Sequence, residues 1–350
     1  MPRIRPAARC RKLVSGSTTR RAETAITASC LVLIEEALMQ ATATIEAGSA
    51  QESYAMPRTE TAREPVRVPE APPQWRDLGL SSMSALLVVS LSRAGSRSFE
   101  AVCQWPRWHP LNEHVLAVTH HPLILVESTR QLAALAESRF LPATGTAPLR
   151  PTSVALGTDP QTQPVETGGA TDVTVRVTTS DVAVRAGSLT GYRITAEYFH
   201  AGRRFGVCAM VFAPAPAPPT APEPGEGTLT SLLHPAAPAV GAAADPDVLL
   251  ARAPQGRLVI VPRDPAHPVL LPGRPRELPL HAVLEAGRQA ALLHQGRPAS
   301  AVVGLAAQLR GPVPCRGAVI DVAPEENGAR FAVTAEGRVA ASGTVTLAGA

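Results

Sequence analysis

Two stretches decide how this chain is read: Val126-Glu127-Ser128-Thr129-Arg130-Gln131-Leu132-Ala133-Ala134-Leu135 and Leu284-Glu285-Ala286-Gly287-Arg288-Gln289-Ala290-Ala291-Leu292-Leu293. They lie 158 residues apart, and Glu, Arg, Gln, one Ala and one Leu coincide. Upstream, His109-Pro110 and His267-Pro268 fall at the same offset. A lone Glu-x-x-Arg-Gln arises often by chance. Two of them, each 18 residues after a His-Pro, imply two copies of one unit.

Working outward, each copy shows the same order of elements. Apolar or alternating runs at 85–91 and 98–105, around a turn at 94–97, read as two strands, as do 247–251 and 257–262 around a turn at 254–256. A His-Pro loop follows, then a helix. The first helix starts at Pro122, whose fixed φ suits a helix start, and runs to about Phe140 before Pro142. The second runs from Pro279 to Gln295, with Gly296 as C-cap and Pro298 beyond. Both are apolar around most of their circumference, which implies burial on nearly every side. Further strands are expected at 171–179, 189–198 and 204–212, and at 299–309, 318–322, 330–335 and 339–347. The division is then an extension at 1–83, a first unit at 84–212, a Pro/Ala-rich linker at 213–243 and a second unit at 244–350. A long buried helix wrapped by a curved antiparallel sheet, twice over, is an α+β arrangement of the hotdog kind. Such units pair edge to edge, so tandem copies make an internal pseudo-dimer within one chain.

Composition narrows the function. Aromatic residues make up 3% of the 350, too few for a tandem protein that stacks bases of single-stranded nucleic acid. The net charge of +4 is carried almost wholly by arginine, since Lys12 is the only lysine, and much of it sits in residues 1–21. That pattern reads as a solvated tail rather than a nucleic-acid face. No apolar run approaches the roughly 20 residues that cross a bilayer, so no membrane partner is expected. The five cysteines form no Cys-x-x-Cys pair, so neither a metal site nor a redox dithiol is indicated, and a reduced, cytoplasmic location is expected. Arg20-Arg21 ahead of 28–34 looks like an export signal only until Glu35 and Glu36 halt the apolar run.

On a helix, residues i, i+3 and i+4 share a face, so Glu127, Arg130 and Gln131 form one polar line and Glu285, Arg288 and Gln289 its counterpart. In an apolar helix such a line is either a buried structural network between the copies or a site. His109 and His267 sit in matched loops, where a shared structural role and a catalytic one are both open. His120 and His121 precede a helix N-terminus, which favours neutral imidazole. No Ser-His-Asp arrangement and no Gly-x-Gly-x-x-Gly opening a helix is present.

From about Met83 onward the chain resembles the AfsA-like family, the A-factor biosynthesis hotdog proteins of gamma-butyrolactone signalling. The resemblance is carried by Trp105-Pro106-Arg107-Trp108-His109-Pro110, by His120-His121-Pro122 through Gln131, by residues 172–187 and by 284–290. It departs at His121, where the family tends to have Asp, and at Arg276-Glu277-Leu278-Pro279-Leu280-His281, where a family His and Gly are missing although His281 lies close by. The resemblance implies an acyltransferase moving a 3-oxoacyl chain from acyl carrier protein to dihydroxyacetone phosphate, with a thioesterase or dehydratase of the same fold, or a non-catalytic acyl-binding protein, as alternatives. No bound cofactor is implied; the phosphopantetheine arm of the carrier protein belongs to the substrate. In that reaction Glu127 or Glu285, with its pKa raised by an apolar site, would be the base. Arg130 and Arg288 would bind phosphate or orient the carboxylates, and Gln131, Gln289, His120 and His121 would contact substrate. Backbone N–H groups near 122–124 or 279–281 would hold the oxyanion. The two charged rows are expected to meet across an apolar tunnel between the copies.

Overall fold

The computed structural model describes residues 72–112, 120–145, 148–165, 168–214, 232–298 and 301–349. The first copy contributes β1 (Val88–Arg93), β2 (Ser98–Trp105), helix α1 (Leu123–Phe140), β3 (Leu149–Thr158), β4 (Thr171–Arg185), β5 (Ser188–His200) and β6 (Arg203–Pro214). The second contributes β7 (Leu250–Arg252), β8 (Leu258–Ile260), α2 (Leu280–Gln295), β9 (Val302–Leu309), β10 (Ala318–Glu325), β11 (Gly328–Ala335) and β12 (Arg338–Leu347). All twelve strands join one antiparallel sheet in the order β1-β2-β4-β5-β6-β3-β9-β12-β11-β10-β8-β7. Numbered within its own copy, each half reads 1-2-4-5-6-3, and the halves meet head-on at β3 and β9. That palindrome is the signature of two hotdog units related by a pseudo-two-fold axis. The chain is therefore a double hotdog on its topology alone. At the seam Val154 pairs with Ala307, Ala155 with Ala306 and Leu156 with Leu305. Small and aliphatic residues there let the sheet run unbroken from one copy into the other.

Alternation explains the layering. In β2 every second residue (Phe99, Ala101, Cys103, Trp105) is buried, and in β4 Val173, Val175 and Val177 do the same. These faces close around α1, while α2 is covered by β9 to β12. The helices are packed differently at one matched position. In α1, Thr129 donates to Leu125 O (2.8 Å) and meets the Tyr198 hydroxyl (2.6 Å). In α2 the same place is Gly287, and a Cβ there would overlap the ring of Phe331. A hydroxyl pair in one copy is replaced by a ring seated against bare backbone in the other.

Both helices match expectation, with Pro122 and Pro279 at their N-caps and Gly296 in the left-handed C-cap at φ 64°. Three expectations are corrected. The extension does not reach residue 83: Leu78 and Leu80 are buried in the main core, and Ser81 Oγ donates to Pro268 O (3.0 Å). Residues 1–71 lie outside the described part. The linker does not reach residue 243, because a short 3-10 helix at Ala237–Val240 packs Ala237 and Val240 with Ala242, Val248 and Leu293; residues 215–231 lie outside the described part. Finally, β3 is not among the expected strands, although it forms the seam. No helix among the described residues is long and apolar enough to cross a membrane.

Candidate functional site

The first three polar residues of each helix line bond to one another in the same way. Arg130 Nε and Nη2 donate to Glu127 Oε2 (2.8 Å) and Oε1 (2.7 Å), and Gln131 Nε2 adds a third donor to Oε1 (2.8 Å). In the second copy Arg288 and Gln289 give Glu285 the same three bonds at 2.8, 2.7 and 2.8 Å. The glutamines also clamp the segment leading into the first strand of each copy: Gln131 donates to Ala85 O and accepts from Leu87 N, while Gln289 donates to Asp247 O and accepts from Leu249 N. Arg130 further donates to Leu78 O and Arg288 to Gly241 O. The glutamines thus use both side-chain N–H groups inside the chain, and each arginine makes three bonds there with its five N–H groups, so all four position the carboxylates and the neighbouring backbone, and Arg130 also lines the cavity described below.

The carboxylates differ from expectation as well. Burial pushes both Glu127 and Glu285 up, but the charge and hydrogen bonds of Arg130 and Arg288 outweigh it, and both end below the ordinary carboxylate range. They are fixed anions at neutral pH, not raised-pKa bases.

Each carboxylate also acts on a histidine contributed by the opposite copy, Glu285 on His121 and Glu127 on His281. His121 Nδ1 accepts from Leu123 N (3.2 Å), so its proton lies on Nε2, which faces Glu285 Oε2 at 3.6 Å. His281, in the first turn of α2, donates Nε2–H to Val269 O (2.8 Å), which leaves Nδ1 unprotonated, and the Leu270 backbone also hydrogen-bonds the ring. Glu127 and then Arg130 are the charges that act most strongly on it. Burial, joined by Arg288, lowers His121 to about 4, and burial likewise brings His281 below its usual value, so both are neutral at pH 7. His120 is a structural pin. It accepts from Asn112 Nδ2 (3.2 Å), donates to Thr171 Oγ1 (2.8 Å) and packs edge-on against Trp105, so it has no nitrogen left for substrate.

One of these two half-sites opens into a cavity of about 480 Å³ between the copies. Arg130, Arg150 and Thr152 line it from the first copy, and Leu278, Leu280, His281, Arg310 and Val313 from the second, with Glu277 as the acidic member. The volume falls inside the roughly 300–1,000 Å³ range of small-molecule sites. Arg150 and Arg310 are exposed and have no ion-pair partner among the described residues. Leu280 and His281 occupy the first turn of α2, where backbone N–H groups lack intrahelical acceptors, and Pro279 offers no side-chain cap. At α1 the matching N–H groups are taken by His121, through its ring at Leu123 and its carbonyl at Ile124.

Of the predicted residues, Glu127, Arg130 and Gln131 belong to the half-site that adjoins the cavity, and Glu285, Arg288, Gln289 and His121 to the other. Sequence reasoning missed His281 as a site residue. With the 158-residue offset it falls opposite Leu123, so the repeat itself carried no hint of it.

No protein-family model matches the chain, and no curated protein matches it. Among solved structures it is similar to the dehydratase domain from the terminal module of the rifamycin polyketide synthase, at 14% identity over 79% of this chain and 100% of that one, with a TM-score of 0.44. It is also similar to a Thermobifida fusca protein described as a candidate thioesterase II (15% identity, 74% and 96% covered, TM-score 0.41). A third is the bifunctional dehydratase-cyclase domain of ambruticin biosynthesis (16% identity, 75% and 94% covered, TM-score 0.40).

Proposed function

We propose that the chain is an acyl-thioester-processing enzyme and, within that class, an acyltransferase that moves a 3-oxoacyl chain from acyl carrier protein to the hydroxyl of dihydroxyacetone phosphate. The observation that carries this reading is His281: one ring nitrogen is anchored to Val269 O, the other carries no proton, and the residue lines the cavity together with Arg130, the partner of Glu127. A neutral imidazole in that setting is a general base, and the nearby Glu127 anion favours the imidazolium once it forms. His281 Nδ1 takes the proton of the acceptor hydroxyl as its oxygen attacks the thioester carbon. The carbonyl oxygen gains charge opposite the free N–H groups of Leu280 and His281. The C–S bond then breaks, and the thiolate recovers the proton from Nδ1. Ester and free thiol are the products. Arg150 and Arg310 supply two cations at the mouth for the acceptor phosphate.

The test is to incubate the full chain with 3-oxoacyl carrier protein, with and without dihydroxyacetone phosphate, and to follow ester by mass spectrometry and thiol release by absorbance. Ester formation that depends on the acceptor is the expected result. Thiol release indifferent to the acceptor would move the reading to hydrolysis. Neither product, at any chain length, would sink it.

A further inference from the structure

Charge gathers around the mouth of the cavity. The segments 150–152, 272–281 and 309–316, which run through its lining or directly on from it, hold Arg150, Arg274, Arg276, Arg310 and Arg316 against one acid, Glu277. That excess of four positive charges is as large as the net charge of the whole chain. The rest of the wall does not offset it. Arg130 is paired with Glu127, and Arg76 and Asp77, both exposed, cancel on the stretch that reaches the cavity at Gly79. The mouth therefore carries a local cationic field.

The backbone fixes where the outer arginines stand. Residues 275–278 run antiparallel to 313–316: Leu278 N donates to Val313 O (2.7 Å), Cys315 N to Arg276 O (3.2 Å) and Cys315 Sγ to Pro275 O (2.9 Å). This ribbon begins at a tight turn in which Arg274 N donates to Leu271 O (3.1 Å). Gly273, inside the turn, is left-handed at φ 73°, and Arg274 after it is left-handed too, at φ 54°. Glycine takes that conformation freely, whereas arginine is strained in it. Pro272 and Pro275 line the cavity, but Arg274 between them is exposed and outside the lining. Arg316, across the ribbon, is exposed and outside it as well. Strain held beside a binding cavity, on a cation facing outward, is a mark of contact with something that stays outside.

A thioester that places its acyl group in the cavity leaves its carrier at the mouth. A single phosphate is held by cations that converge on one point. Here the guanidinium groups are exposed and spread over separate segments, an arrangement complementary to an anionic surface. We propose that Arg274 and Arg316 form the docking face for an acidic protein, the partner that bears the thioester on its arm. This rests on the reading of the chain as an acyl-thioester enzyme. Arg150 and Arg310, which line the cavity itself, keep the acceptor phosphate.

The test uses the full chain, Arg274→Gly, Arg316→Ala and the double variant. Thiol release is followed, with dihydroxyacetone phosphate present, from one 3-oxoacyl chain borne in turn by acyl carrier protein, coenzyme A and pantetheine, at low and at high salt. The parent should use the carrier-protein thioester better than the pantetheine one by about tenfold or more in kcat/KM, and salt should erase most of that lead. The double variant should raise KM for the carrier protein about tenfold, keep kcat within about twofold and leave the pantetheine thioester unaffected. Its Tm should not fall, since glycine relieves the turn at 274. An equal loss with the coenzyme A thioester would assign the two arginines to the phosphates of a nucleotide and overturn the proposal. An unaltered carrier-protein KM in the folded double variant, or no lead for the carrier protein in the parent, also overturns it and leaves the enzyme reading standing. No release from any of the three thioesters by the parent overturns the enzyme reading, and this proposal with it.

Discussion

At Glu285 three N–H donors converge on one carboxylate whose guanidinium partner is itself only 5% exposed. An ion pair this deeply placed gives little net stability when whole, but leaves a bare charge when halved. Glu285→Gln should therefore cost about 3–5 kcal/mol in urea unfolding. Glu127→Gln should cost less, since Arg130 keeps 22% exposure and can turn to water. His281 makes the opposite prediction. Its replacement by Gln should leave stability nearly intact and lower kcat by about 10²–10⁴, the span of general-base catalysis. Because the folded pKa of His281 lies below the ordinary value, its base form is complete at neutral pH. The kcat/KM profile should be flat above about pH 6.5, the unperturbed histidine value, and fall only on the acid side.

Among the elements, the two helices carry different liabilities. Gly287→Ala drives a methyl into the Phe331 ring, so α2 must lift from its sheet, and we expect a loss of about 1–3 kcal/mol by thermal melting. Combining it with Phe331→Leu should return part of that loss. No return would mean that the helix is held off by something other than the ring. Both helices are legible in the sequence to within a residue, because proline, glycine and an unbroken apolar circumference mark their ends and their burial. The seam strand is not. In β3, Pro151 breaks the expected pattern, and the chain absorbs it at a shift in register between Pro151 and Ser153. The charged rows are legible as lines on a helix, but their roles are not. Spacing shows that Glu127 and Arg130 share a face; it does not show that the guanidinium outweighs burial and holds the acid ionised. Nor does a repeat reveal what breaks it: His281 stands where the copies disagree, opposite Leu123.

For the whole molecule, buried neutral histidines dominate the response to acid. Burial lowers His109 to about 3 and His120 and His121 to about 4, and His281 is lowered as well. In the unfolded chain these rings take up protons near pH 6.5, before the folded chain can. Stability is therefore full above that pH and declines as pH falls toward 4, by about 1.4 kcal/mol per unit for each ring. Glu127 and Glu285, with folded values depressed, withdraw their own contribution only below about pH 4.5, the ordinary carboxylate value. Denaturant midpoints between pH 8 and 5 should show the decline beginning near 6.5. A flat profile down to 5 would mean that the rings are charged or wet.

The covalent link between the halves has a consequence for how such a molecule can change. Two identical subunits inherit every alteration in duplicate, so clearing a helix face for a ring in one clears it in its twin. Tethered in series, the halves are free to part ways. One lobe can keep a hydroxyl pair on its helix while the other seats a ring there, and the sheet they share keeps both in register.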